Sequence, residues 1–97
     1  MKAYEMLLLL DPGLDEEARE GVLERARGLI TAGGGVVDNV DSWGKRRLAF
    51  EIEDLTDGDY VLLDFHSSPD AIAEIDRVLH ITDSVIRYML IRRDDRE

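Results

Sequence analysis

Lys45, Arg46 and Arg47 form the run of three consecutive basic residues in a chain whose formal net charge is −10, and the single tryptophan, Trp43, stands just before it. Guanidinium forks match phosphate oxygens, so such a run can hold a nucleic-acid backbone and position it without reading its sequence. Arg87, Arg92 and Arg93 supply further bases late in the chain. The same run has a purely structural explanation, because charged side chains on an outer strand discourage edge-to-edge aggregation. An acidic chain repels polyanions as a whole. The distribution matters more than the sum, because potentials are screened within about 10 Å at moderate salt. Acids dominate the segment from Asp15 to Glu24 and that from Glu51 to Asp59, while bases gather at Lys45-Arg46-Arg47, Arg87 and Arg92-Arg93.

Residues that catalysis would need are sparse. His66 and His80 fall at the end of a strand and of a helix, where the helical one complements the dipole. No His, Cys or acid cluster has metal-ligand spacing. Ser67 and Ser68 read as helix caps with no paired base. Gly33, Gly34 and Gly35 follow a helix instead of opening one, which is the wrong order for a phosphate loop. The expectation is a protein that is no enzyme, with no cofactor, no metal and no small-molecule substrate.

A chain of 97 residues holds one core. An apolar fraction of 44% argues against disorder, and the absence of cysteine suits a reducing compartment. Met6 to Leu10 is the longest apolar run, far too short for a bilayer, and no signal-peptide pattern opens the chain. A cytoplasmic domain with no membrane role is expected.

The elements that must position these residues alternate regularly. Lys2 to Leu10 reads as a strand with Tyr4, Met6, Leu8 and Leu10 on one face and Glu5, Leu7 and Leu9 on the other. Asp15 caps a helix with an apolar stripe at Ala18, Val22, Ala26 and Leu29-Ile30, closed by the glycines at 33–35. A second strand runs from Val36 to Ile52, with Val36, Val40, Leu48, Phe50 and Ile52 in shared parity. Trp43 breaks that parity, so either it faces the other way or Gly44 marks a bulge. Asp54 to Asp59 is read as a turn, Tyr60 to His66 as the third strand and Pro69 onward as a helix buried at Ile72, Ile75, Val78 and Leu79. Val85 to Ile91 is the last strand, with Ile86, Tyr88 and Leu90 toward the core. This β-α-β-β-α-β order predicts an α+β, ferredoxin-like split βαβ domain over 1–93. Its four-stranded antiparallel sheet carries both helices on one face, and 94–97 form a charged, fraying tail.

The uncovered face of that sheet should then be polar if the protein works alone. Instead Leu7, Leu9, Trp43, Tyr60, Leu62, Met89 and Ile91 fall on it. An apolar patch of that extent marks a protein partner. Leucines at 7 and 9, where an RNA-recognition sheet would carry stacking aromatics, argue against bases stacking there.

Tyr4-Glu5, the block Asp41-x-Trp43-Gly44-x-Arg46-x-Leu48-Ala49-Phe50-x-Ile52, Tyr60, and Asp83-x-Val85-Ile86-Arg87-x-Met89 resemble the bacterial small-subunit ribosomal protein S-six family, from Met1 to Arg93. The Trp-Gly-x-Arg-x-Leu-Ala-aromatic block is the specific part. The resemblance implies a ferredoxin-like structural constituent of the small ribosomal subunit. It further implies binding of small-subunit (16S) rRNA together with a small basic partner, ribosomal protein S-eighteen. Arg46 and Arg87 stand on family motif positions as rRNA contacts. Lys45, Arg47, Arg92 and Arg93 join them on charge and proximity. The long, modifiable acidic tail of some members is not carried over. Two competing readings are a homodimeric ferredoxin-like ligand-sensing module that pairs two open faces, and an acyl-phosphate hydrolase.

Overall fold

The computed structural model describes residues 1–52 and 55–96. In chain order it contains β1 (Lys2–Leu10), α1 (Glu16–Ala32), β2 (Val36–Ile52), β3 (Leu55–Ser67), α2 (Pro69–His80) and β4 (Val85–Arg92), then a 3-10 turn at Asp94–Arg96. The strands form one antiparallel sheet in the order β2-β3-β1-β4, so β2 and β4 are its edges. Both helices pack on one face, giving the expected ferredoxin-like arrangement.

The core lies between that face and the helices. Tyr4, Met6, Leu8 and Leu10 of β1 meet Val61, Leu63 and Phe65 of β3, as the period-two pattern requires. The rings of Tyr4 and Phe65, directly paired across the strands, stack with centroids 5.6 Å apart. Leu23, Ala26 and Ile30 of α1 and Ile75 and Leu79 of α2 close the core from above. Asp15 caps α1 by accepting the Ala18 N–H at 2.8 Å, with Glu16 and Glu17 in the first turn. α2 starts on Pro69 after Ser68, whose side chain makes no capping bond. Ser67 is buried and donates to the Ser68 carbonyl instead.

Four local expectations change. The stripe of α1 centres on Leu23, Ala26 and Ile30, with Val22 and Leu29 flanking it and Ala18 exposed. The inward position in the first turn, four residues before Leu23, belongs to Arg19. In β2, register shifts at Asp38 and Trp43 break the assumed parity, so Val37 and Val40 face the core while Val36 is exposed. The alternation expected at Phe50 and Ile52 lies outside the described side chains. In β4, a shift opposite Leu9 and Leu10 turns Val85 inward and leaves Ile86 half-buried. Finally, the turn read over Asp54 to Asp59 is mostly strand. β3 begins at Leu55, and Asp57, Gly58 and Asp59 pair with Arg47, Arg46 and Lys45. Glu53 and Asp54 lie outside the described residues.

Candidate nucleic-acid and partner interface

Cross-strand register sets the open face in rows. One row runs Asp41, Leu62, Leu7, Met89; the next runs Gly44, Tyr60, Leu9, Arg87; the third runs Asn39, Asp64, Glu5, Ile91. Trp43 is the unpaired residue of a bulge between Ser42 and Gly44. Gly44 has φ 78°, a left-handed conformation that side chains resist, so the glycine permits the bulge. The bulge turns the indole over Tyr60, with ring centroids 5.9 Å apart, and its Nε1–H donates to Asp41 at 3.2 Å. Both alternatives raised for Trp43 therefore hold: Gly44 marks a bulge, and the indole lies on the open face.

All seven residues expected on that face are there. Trp43 (41% exposed), Met89 (54%) and Ile91 (39%) are its most open members, and Leu7, Tyr60 and Leu62 are half-buried. Leu9 is buried because Gly58 has no side chain: a Cβ there would fall inside Leu9, with Leu48 alongside. A shallow depression of about 330 Å³ runs between Leu7, Leu9, Tyr60, Arg87 and Met89. Apolar surface left open on this scale amounts to kilocalories, at ~25 cal/mol per Å².

The basic residues divide into two groups. Lys45, Arg46 and Arg47 are exposed on the extended β2–β3 hairpin, and Arg46 shares the open face with Trp43 by register. Arg87 is exposed on the opposite edge, in the row of Gly44 and Tyr60. None of these four forms an ion pair with a described carboxylate. Three strand spacings, ~14 Å in all, separate the two edges. Arg92 and Arg93 stand at the far end of β4, ~17–20 Å from Arg87 along the strand. There Arg92 pairs with Asp94 at 2.8 Å, and Arg93 with Glu5 at 2.6 Å and Asp95 at 3.0 Å. The hydrogen bonds that Arg93 donates to Asp95, and then to Glu5, raise the pKa of its guanidinium. Of the end expected to fray, Asp94–Arg96 form the 3-10 turn, and the Arg93 N–H bonds the Ala3 carbonyl at 2.8 Å. Glu97 lies outside the described residues.

One pair escaped the reading from residues. Arg19 Nε donates to Asp59 Oδ2 at 2.6 Å, and its Nη2 donates to Ser42 Oγ at 2.5 Å. Asp59 is buried, and its Oδ1 has no hydrogen-bond partner among the described residues. The bond to Asp59 is also the main reason the Arg19 pKa is raised. Once the stripe is centred on Leu23, Ala26 and Ile30, Arg19 becomes a cation at a core-facing position, which calls for a buried anion. His66 Nδ1 meets Asp38 at 2.5 Å beside the first bulge, and His80 sits in the last turn of α2 as expected. On the helix side, the Tyr88 hydroxyl donates to Asp76 Oδ1 at 2.7 Å and ties β4 to α2.

Known proteins are similar to this chain in sequence and in fold. The model of the family described as "Ribosomal protein S6" matches residues 3–92. The "Small ribosomal subunit protein bS6" of Caldanaerobacter subterraneus subsp. tengcongensis is 50% identical over 95 residues, covering 98% of this chain and all of that one. Its counterpart in Clostridium novyi is 45% identical, covering 94% of this chain and 96% of the relative. The crystal structure of 30S ribosomal protein S6 from Thermotoga maritima superposes with a TM-score of 0.92 at 30% identity, covering 97% of this chain and 89% of that one. With the family model matched over residues 3–92 and relatives up to 50% identical over nearly its whole length, the chain belongs to the ribosomal protein S6 family.

Proposed function

We propose that this protein is a structural constituent of the small ribosomal subunit in the cytoplasm, where it binds 16S rRNA as a heterodimer with the basic ribosomal protein S-eighteen. The observation that carries the reading is the open sheet face, where Trp43, Tyr60, Leu62, Leu7, Met89 and Ile91 form an apolar surface. Asp41 and Asp64 share this face by register, and a basic partner complements such carboxylates. Covering these side chains removes apolar area from water, and pairing with a basic chain offsets the −10 that repels RNA.

RNA contact belongs to the rim. Arg46 and Arg87 bound the face on opposite edges and carry the main phosphate contacts, assisted by Lys45 and Arg47. Arg92 and Arg93 contribute charge at the far end of β4, where their carboxylate partners offset much of it. The acids of α1 are exposed on the helix layer.

The test mixes the protein with S-eighteen and a small-subunit rRNA fragment. Arg46→Glu/Arg87→Glu should weaken RNA binding when measured at protein concentrations where the heterodimer is fully formed. Every phosphate that is no longer neutralised should reduce the log–log salt slope by about 0.7–0.9. An unchanged slope and affinity would remove these arginines from the RNA site. A tight homodimer indifferent to S-eighteen would replace the proposal with the ligand-sensing module.

A further inference from the structure

We infer that Arg19, on the helix side of the sheet, is a positioning residue for the docking face on the other side: it clamps the Trp43–Gly44 bulge and sets where Trp43 and Arg46 stand. The inference deepens the proposed function, since it rests on that face being the partner surface.

The geometry is specific. Ser42 pairs with Val61, Gly44 with Tyr60 and Lys45 with Asp59, so Ser42 and Asp59 bracket the bulge on adjacent strands. The Arg19 guanidinium reaches both, with Nε on Asp59 and Nη2 on Ser42. On the opposite face the Trp43 ring meets Tyr60. The bulge is thus held from both sides of the sheet. A bulge adds twist and re-aims the strand beyond it, and here that strand carries Lys45, Arg46 and Arg47.

Stability alone does not explain the clamp. A cation in the first turn of a helix opposes the dipole. Asp59 is 5% exposed, and one of its oxygens is buried without a partner among the described residues. Buried ion pairs can often be exchanged for apolar residues of similar volume with no loss of stability, whereas breaking one partner alone is destabilising. What an apolar pair cannot reproduce is the fork that binds two strands at once.

The full-length variant Arg19→Met/Asp59→Leu removes both charges together, and Ile75→Val loosens the core away from the bulge as a control. Because the chain has one tryptophan, its near-ultraviolet circular dichroism and emission report the bulge directly in the isolated protein. The double variant should keep a denaturation midpoint close to that of Ile75→Val. It should also change the Trp43 signature and weaken S-eighteen binding by about tenfold, the lower end of the loss that follows removal of an outer-shell support at metal sites. The control should leave both as in the parent. Ser42→Ala, which removes only one hydroxyl, should shift the Trp43 signature in the same direction, and it carries the test if the double variant does not fold. A parental Trp43 signature in these variants, or an equal change in the control, would overturn the inference. If the parent protein fails to bind S-eighteen, the proposed function fails, while the Trp43 readout still decides whether Arg19 sets the bulge.

Discussion

Gly58 decides how much of the open face is available. Its missing side chain admits Leu9, which is why a leucine on the uncovered side of the sheet is buried. Gly58→Ala should therefore be destabilising by about 1–3 kcal/mol, the usual penalty of overpacking, and it should displace Leu9 outward on the open face. Urea denaturation measures the first effect, and titration with S-eighteen the second. A neutral Gly58→Ala would mean that Leu9 has room to move. This residue could not be read from the sequence, because 54–59 look like a turn and glycine is ordinary in turns. Trp43 was readable only as a break in parity. Choosing its face needed the φ of Gly44 and the position of Tyr60. Arg19 was hidden by the acids around it, which make that stretch look like a solvated helix face.

Elements were far more readable, because period two and period 3.6 survive local irregularities. β1, α1 and α2 stand close to where their caps and alternation place them. The errors gather at register shifts. A bulge inverts the parity of everything beyond it, so Val36 and Val40 do not share a face and Val85 turns inward beside Ile86. The hairpin lengthened for a related reason: acids of β3 lie opposite bases of β2, as in Arg47 against Asp57, and opposite charges across a ladder favour strand.

At the same scale, Tyr88 joins edge strand β4 to α2 through Asp76. That hydrogen bond, followed by burial, raises the tyrosine pKa to about 12. A hydroxyl whose pKa rises on folding favours the folded state while it stays protonated. The contribution is complete below the ordinary tyrosine value and is lost as the pH climbs through about 12. Tyrosinate absorbance should show a late-titrating group in the parent that Tyr88→Phe removes. Tyr88→Phe should also flatten the alkaline loss of stability. A parent with no late-titrating tyrosine would contradict the Tyr88–Asp76 link.

The whole molecule has two layers of different character. The helix layer carries exposed acids at Glu16, Glu17, Glu20 and Glu24, while the sheet presents an apolar face between basic edges at Arg46 and Arg87. A net charge of −10 describes the first layer better than the second. Alone, the protein should bind rRNA weakly and with steep salt dependence, because few phosphates are neutralised against an overall repulsion. In the proposed heterodimer a basic partner offsets that repulsion. Composition could suggest this division but not locate it, since only the fold separates the acidic helix from the basic hairpin. The most direct measurement is sedimentation of small ribosomal subunits after a moderate salt wash. The protein should stay with the subunits when S-eighteen is present and leave them when S-eighteen is depleted. Release by the wash irrespective of S-eighteen, or retention without it, would contradict a shared RNA-binding heterodimer.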